Sequence, residues 1–283
     1  MADGTAGPLL QDVGRCSRAT LRFGRAGART MLLRQHVPYP FHVTRPFYLD
    51  AQRPDLATLY LQSSSGGVYG GDDLSLTLDI RAGAAAHVTT QAATIVHDCR
   101  GSPARAVVQA NVGEGAFLAL TPDPLVLFPG ADIATATDLS LHEGACAVLV
   151  DSASLHDPQG ADRSFARFHG SLTVRDASGT VRLCDRGGIE GEGLGAPAVL
   201  GTCRAWATLL ALGPPDRLPD PALLESHAAA ADCLCGAGAA PNDLGLAARL
   251  AGPDGGTLGR CLDQLWTVCA GALLGFHPVR RRK

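Results

Sequence analysis

Five side chains of types that metal ions accept are dispersed through the first half of the sequence. They are Asp72, His87, Asp98, Cys99 and Asp123. Borderline divalent cations such as Ni²⁺ accept imidazole, thiolate and carboxylate ligands alike. A structural zinc site would instead need paired Cys or His residues at short, regular spacing. We therefore expect weak, transient metal coordination by these residues, and we expect no tightly bound cofactor.

The most unusual segment is glycine-rich and spans residues 65–74 (SGGVYGGDDL). Its two glycine pairs and the acid that follows them are Gly66, Gly67, Gly70, Gly71 and Asp72. A phosphate-binding loop would continue with Gly-Lys-Ser/Thr and a helix, whereas here a strand pattern follows. The segment therefore predicts a tight turn, with Asp72 accepting hydrogen bonds from the turn or facing a cavity.

The residues that could form a catalytic group do not fit a known arrangement. Residues 97–99 (His-Asp-Cys) are adjacent on a predicted strand, so their side chains would point to opposite faces. Ser152, His156 and Asp157 lack the strained turn that presents a nucleophile, and a turn at residues 157–160 explains them better. Cys233-x-Cys235 lacks the two-residue gap of a zinc knuckle. The sequence favours a protein that is not an enzyme.

Composition excludes several other classes of protein. A hydrophobic fraction of 46% with 18% charged residues is typical of a globular chain. The net charge of -3 gives no general attraction to nucleic acid or to acidic membranes, and only residues 280–283 (RRRK) are basic. The start lacks the pattern of a signal peptide, and no apolar run is long enough to span a bilayer. We expect a cytoplasmic protein whose nine cysteines are mostly small buried residues.

Elements that would position these residues are predicted to be mainly strands. Residues 75–80 alternate polar and apolar side chains, which is the period of a half-buried strand. Three strand–turn–strand stretches share a Gly-Ala turn, with Gly83, Gly115 and Gly144 separated by 32 and 29 residues. Such spacing is typical of repeated units that stack on a shared core. The prediction is a β-solenoid-like fold or layered β-sheets, and an ordinary β-sandwich is the alternative.

A few helices are predicted near the C-terminus. Residues 206–212 indicate a last buried strand, and Asp220 with Pro221 predicts a helix start. A second helix is predicted from Thr257 to Leu274, and residues 236–242 are predicted to form a flexible loop. The apolar stripe of that second helix is Leu258, Leu262, Leu265, Cys269 and Leu273. The predicted organisation is a flexible N-terminus (1–17), a β-rich body (18–213) and a helical segment with a basic tail (214–283).

The glycine-rich segment, read with its neighbours, resembles the urease accessory protein UreD (also called UreH) family. That family has a GG-x-x-GGD-x-L segment, then a Gly-Ala turn, then TTP-x-AT, and this chain has 65–74, 82–84 (AGA) and 88–94 (VTTQAAT) in that order. The resemblance is good over about residues 18–150 and weaker beyond. Departures at Ile95 to Asp98 (residues 95–98), at Ala119 and at 155–165 indicate a divergent member.

The resemblance implies a scaffold without catalytic activity of its own. Such a scaffold binds apo-urease and joins the accessory proteins UreF and UreG, the latter a GTPase whose GTP hydrolysis drives nickel into the urease active site. Asp72 is the one acid that the matched motif carries over, as a lining or structural residue. Two alternatives are a β-solenoid hydrolase, which would need converging acids in a groove, and a plain binding module.

Overall fold

The computed structural model describes residues 14–279, which form seventeen strands and two α-helices. The elements in chain order are β1 (Cys16–Ala26), β2 (Arg29–His36), β3 (Phe41–Val43), β4 (Leu56–Ser63), β5 (Asp73–Ile80), β6 (Ala85–Thr90), β7 (Ile95–Val96), β8 (Ala104–Val112), β9 (Phe117–Thr121), β10 (Leu125–Leu127), β11 (Asp132–Leu141), β12 (Cys146–Leu155), β13 (Arg167–Arg175), β14 (Val181–Glu190), β15 (Ala205–Leu212), α1 (Pro221–Ala230), β16 (Leu234–Ala239), β17 (Gly245–Gly252) and α2 (Gly255–Leu274). Within this part of the chain, no helix has both the length and the hydropathy needed to cross a bilayer.

Two sheets face each other and are built from stacked coils. The seven-stranded sheet has the order β14-β13-β11-β8-β5-β1-β2, and the ten-stranded sheet follows β16-β17-β15-β12-β9-β6-β4-β3, with β7 and β10 attached to it through β12. The central strands of both sheets pair in parallel, as in β5 with β8 and β6 with β9. Each coil therefore adds one strand to each sheet, which confirms the predicted solenoid-like stacking.

The Gly-Ala turns connect one sheet to the other at the same edge of every coil. Gly83, Gly115 and Gly144 have positive φ angles of 66°, 60° and 64°. A residue with a Cβ is disfavoured in this left-handed region, so glycine allows the chain to reverse within a few residues. The backbone N–H of a turn glycine can also bond to the next coil, as Gly83 does by donating to Glu114 O at 2.9 Å.

The main core lies between the two sheets. Alternate residues of β5, from Leu74 to Ile80, point inward and are buried, while the intervening polar residues face outward. A second core lies on the outer face of the ten-stranded sheet, where α1 and α2 cover it. All five residues of the predicted apolar stripe on α2 are buried there.

The region after β15 differs from the sequence prediction. Residues 236–242 were expected to form a loop, but β16 occupies Leu234–Ala239, and β17 follows it, so β15 is not the last strand. Glycine and alanine predicted flexibility, yet β16 needs only its backbone to pair with β17. Glu225 of α1 accepts a hydrogen bond from the outward Ala237 N–H at 3.0 Å, which covers that edge.

Both chain ends fall partly outside the described residues. Within the predicted flexible N-terminus, residues 1–13 are not described, and β1 already begins at Cys16. The basic tail, residues 280–283, also lies outside the described part of the chain. Helix α2 begins at Gly255, two residues before the predicted start, because Asp254 caps it.

Candidate functional site

A half-buried carboxylate lies between the two sheets. Asp151 is on β12, opposite Thr208 of β15, and its side chain points towards the seven-stranded sheet. There Thr135 of β11 donates its hydroxyl to Asp151 Oδ2 at 3.3 Å. Gly170 of β13 makes room for this carboxylate, because a Cβ on Gly170 would lie 2.7 Å from Asp151 Oδ2.

Asp151 faces a cavity of about 210 Å³. The cavity lies where β12 and β15 of one sheet face β13 and β14 of the other, and Gly187 of β14 leaves part of its wall without a side chain. A second acid, Asp185, also lines it. The cavity is therefore a polar space with two carboxylates inside a largely apolar fold.

Burial changes the acidity of Asp151. It raises the pKa of the Asp151 carboxyl to about 6, and the nearby charge of Asp185 acts in the same direction. The hydrogen bond from Thr135 and the charge of Arg249 oppose this rise. At neutral pH the group is mostly ionised, so it can attract a cation, and it takes up a proton in mildly acidic solution.

One side of the cavity leads towards the surface. A groove of about 370 Å³ shares four lining residues with it, namely Ile189, Trp206, Thr208 and Arg249. Arg249 of β17 forms an ion pair with Asp185 of β14 and donates a hydrogen bond to the Thr208 hydroxyl. The outer end of the groove includes Leu234, which is 69% exposed. Arg249 is thus placed where the interior cavity meets the surface groove.

Asp72, which the sequence analysis singled out, is hydrogen-bonded to other residues of the protein. Its Oδ1 accepts hydrogen bonds from the Arg15 backbone N–H at 3.0 Å and from Arg15 Nε at 2.9 Å. Its Oδ2 accepts from the Tyr69 backbone N–H at 2.8 Å and also from the Arg15 guanidinium. Both carboxylate oxygens are therefore engaged by the protein, in accord with the expectation that Asp72 accepts hydrogen bonds from the turn.

The glycines of that segment permit close packing. A Cβ on Gly67 would lie 2.3 Å from the Ile95 carbonyl oxygen, and one on Gly70 would lie 2.5 Å from the Cys99 carbonyl oxygen. Gly71 has a positive φ of 76°. The segment packs against the next coil of the solenoid through its main chain, which explains why glycine is repeated there.

The other predicted metal-binding residues lie in separate surroundings. His87 is buried under α2, where its ring lies 4.5 Å from that of Trp266 and its Nε2 is 2.8 Å from Thr121 Oγ1. Asp98 accepts a hydrogen bond from the Arg100 N–H at 2.9 Å. Burial raises the pKa of Cys99, whose thiol donates to Asp132 O.

Asp123 lies apart from the other four predicted metal-binding residues. It lines a groove of about 910 Å³ beside the first turns of α2. The five predicted residues are thus not brought together, and among residues 14–279 no three His, Cys, Asp or Glu side chains form a metal-binding group. These polar side chains instead remain dispersed over the fold.

Asp151 was missed by the sequence analysis, although its strand carried a signal. It is the one charged residue among the ten residues of β12 (CAVLVDSASL), whose other members are apolar or small. A lone acid in a strand that is buried on both faces has to meet a partner or a cavity. This pattern could have identified Asp151 without a structure.

Together, these features define a class of protein: a β-solenoid with a helical layer on one sheet and a carboxylate-lined interior cavity. Comparison with known proteins then identifies the family. The family model described as "UreD urease accessory protein" matches residues 15–283. The match covers nearly the whole chain, including the C-terminal region where the sequence resemblance was weak.

Named relatives agree with the family model. "Urease accessory protein UreD 1" of Methylorubrum extorquens (strain PA1) is 46% identical over 96% of this chain and 93% of its own length. The protein of that name from Bradyrhizobium sp. (strain BTAi1 / ATCC BAA-1182) is 47% identical over 95% of this chain and 96% of its own length. A third, from Pseudomonas syringae pv. tomato, is 33% identical over 95% of this chain and 96% of its own length. The chain belongs to the UreD family of urease accessory proteins.

Proposed function

We propose that this protein is a non-catalytic scaffold for urease maturation in the cytoplasm. In this proposal it binds apo-urease together with the accessory proteins UreF and UreG, and nickel passes through it to the urease active site while UreG hydrolyses GTP. Family membership supports the urease accessory role. The observation that carries the nickel proposal is the Asp151 carboxylate in a cavity that adjoins a surface groove.

The chemistry of the cavity suits an ion in transit. Asp151 and Asp185 offer carboxylate oxygens and Thr135 offers a hydroxyl, all of which Ni²⁺ accepts. Arg249 places a positive charge beside Asp185, which lowers the affinity for a cation. A cage of several ligands would hold nickel tightly, whereas a few oxygen ligands next to a positive charge would release it.

Partner binding is supported by exposed apolar side chains on β16, which lines the groove, and on α1, which packs against β16. Leu234 on β16 is 69% exposed, and Leu223 on α1 is 44% exposed. Apolar side chains at the surface are used in protein–protein contacts when they are close together. In this proposal a partner covers this part of the surface and delivers or receives nickel there.

The test is the nickel content and activity of urease purified from cells with and without this gene, at equal amounts of urease polypeptide. Loss of the gene is expected to give intact urease that is poor in nickel and inactive. Asp151→Ala should reproduce part of this loss. The matched control is Asp138→Ala, because Asp138 lies on β11 with Arg175 as its ion-pair partner at the exposed face.

The outcomes separate the family role from the interior route. Unchanged nickel content and activity without the gene would overturn the maturation role. Normal nickel loading by a well-expressed Asp151→Ala protein would overturn the route through the cavity. Equal losses for Asp151→Ala and Asp138→Ala would show a general effect on folding rather than an effect on nickel.

A further inference from the structure

Another cavity, separate from the Asp151 cavity, lies at the edge where the Gly-Ala turns stack. Its volume is about 260 Å³. Three arginines from distant parts of the chain line it: Arg25 at the end of β1, Arg53 before β4, and Arg217 after β15. One carboxylate, Asp55, also lines it. The lining therefore carries two more positive than negative formal charges.

Asp55 is already used by Arg53. Arg53 Nε and Nη2 donate to the two oxygens of Asp55, each at 2.9 Å, and Arg53 Nη1 donates to Leu274 O at 3.1 Å. The Arg53 hydrogen bond holds the pKa of Asp55 below its usual value, although burial alone would raise it. This bidentate pair ties the loop before β4 to the end of α2 and leaves little of Asp55 to neutralise a second arginine.

The other two arginines are less fully engaged. Arg25 donates to the backbone oxygens of Gly27 and Gly83, at 3.2 and 3.4 Å, and lies 3.8 Å from Asp55. The Arg217 backbone N–H donates to Pro214 O at 3.0 Å, but its guanidinium makes no hydrogen bond or ion pair with any residue between 14 and 279. Arg217 nevertheless lines the cavity, and its charge opposes the rise that burial causes in the pKa of Cys146, while the charge of Asp216 adds to that rise.

The turn glycines leave the cavity open to a ligand. A Cβ on Gly83 or on Gly115 would meet no atom within 4 Å. Glu114 and Glu143 stand next to the turn glycines but do not line the cavity. Asp55, which Arg53 holds and which also forms a longer ion pair with Arg25, is the one carboxylate in the lining of this cavity.

We propose that this cavity binds a small oxyanion of the phosphate class, held between Arg25 and Arg217. Guanidinium groups present paired N–H donors that match the oxygens of phosphate, and both arginines line a space that a small anion can fill. The bound anion neutralises the excess charge and links β1 to the segment after β15. This site is independent of the nickel route.

The test uses the purified full-length protein and inorganic phosphate. Phosphate is titrated by calorimetry at constant ionic strength, and ³¹P NMR line broadening gives a second readout. We expect saturable binding of one phosphate per chain, weakened about tenfold or more by Arg217→Gln, since a hydrogen bond to a charged group is lost. The control is Arg186→Gln, because Arg186 is an exposed arginine of β14 outside the cavity.

Competing anions define the ligand class. Sulfate should displace phosphate, whereas acetate at the same concentration should displace little of it. If acetate competes as well as sulfate, the site is a carboxylate site and the phosphate assignment is wrong. Because the assay contains no urease, its result does not depend on the maturation role.

A second variant protects the test against misfolding. Should Arg217→Gln lose the far-ultraviolet circular dichroism of the wild type, Arg25→Gln takes its place with the same expected loss. The proposal is overturned if the wild-type protein shows no saturable phosphate binding. It is also overturned if the folded Arg217→Gln or Arg25→Gln protein binds phosphate as tightly as the Arg186→Gln control.

Discussion

Arg15 and Asp72 join two neighbouring strands of the solenoid through main-chain and side-chain hydrogen bonds. The carboxylate accepts from the Arg15 N–H at 3.0 Å and from its Nε at 2.9 Å, and the Asp72 side chain is only 1% exposed. Arg15 directly precedes β1, and Asp72 directly precedes β5, which pairs with β1 in parallel. The Arg15 guanidinium also lies over the Tyr69 ring, 5.1 Å from its centroid. The glycine-rich segment is therefore an anchor for the first coil.

Replacing Asp72 should destabilise the protein. Asp72→Ala leaves the partly buried Arg15 without its carboxylate partner, and we expect the free energy of unfolding to fall by about 2 to 4 kcal/mol. Urea unfolding followed by circular dichroism measures this change. The control is Asp73→Ala, because the Asp73–Arg18 ion pair is exposed and its loss should cost less than about 1 kcal/mol. Equal costs for the two variants would contradict the anchoring role.

Asp151 should make stability depend on pH in the opposite sense to an ion-paired acid. The folded protein keeps the Asp151 proton up to a pKa of about 6, while the unfolded chain loses it near the ordinary aspartate pKa of 3.8. Ionisation of Asp151 therefore costs stability as the pH rises from about 4 to about 6. Asp151→Asn removes this cost, so we expect the variant to be more stable than the wild type by about 3 kcal/mol at pH 7.5.

The pH profile checks that expectation. The difference in unfolding free energy between Asp151→Asn and the wild type should shrink towards zero below about pH 3, where Asp151 is protonated in both the folded and the unfolded state. Urea unfolding at a series of pH values measures it. A difference that does not change with pH would show that Asp151 ionises as easily in the folded state as in the unfolded one, and a difference that grows on acidification would show that folding lowers its pKa.

The sequence predicted those parts of the fold that repeat. The stacked coils were predicted from the turns at Gly83, Gly115 and Gly144, and the buried helix was predicted from the apolar stripe of α2. Local patterns carry this information because a turn or a helix face is determined by residues close in sequence. Strand β16 was missed because its small residues signal flexibility, and its pairing depends on β17, which is a separate segment.

The candidate site was harder to predict because its members meet only across the sheets. The environment of Asp151 is formed by Thr135, which donates a hydrogen bond to it, and by the space at Gly170. Both residues lie on other strands. No short sequence motif indicates that these residues lie together. The only signal in the sequence is that Asp151 is the one charged residue of β12. For Asp72 the sequence indicated hydrogen bonding within the turn, but not the partner Arg15, 57 positions earlier.

Cysteine reactivity should follow exposure. All nine cysteines are unpaired, and Cys16 and Cys184 are exposed, whereas Cys269 is fully buried. Burial raises the pKa of the Cys269 thiol to about 12, and thiolate is the reactive form. Brief iodoacetamide treatment at pH 7.5 should therefore label Cys16 and Cys184 first and leave Cys269 unlabelled until denaturant is added.

Peptide mass spectrometry measures the labelling. Cys184→Ser should remove one of the two rapidly labelled peptides without changing the labelling of Cys16. Rapid labelling of Cys269 in the native protein would show that α2 separates from the ten-stranded sheet within the labelling time, contrary to the buried core described here.

The start of α2 should depend on its cap more than most helices do. Asp254 Oδ1 accepts the Thr257 N–H at 2.7 Å, and its Oδ2 accepts the Thr257 hydroxyl at 2.9 Å. The first two helical residues are Gly255 and Gly256, which favour the helix least among residues other than proline. Asp254→Ala should therefore lower the unfolding free energy by about 1 kcal/mol and loosen the first turn.

Hydrogen exchange measures this loosening. In Asp254→Ala, exchange should accelerate in residues 255–262 while α1 is unchanged. Asp220→Ala, which removes the α1 cap on Ala222, should show the reverse. Acceleration throughout both helices in either variant would mean that the two helices open together and that the caps do not act locally.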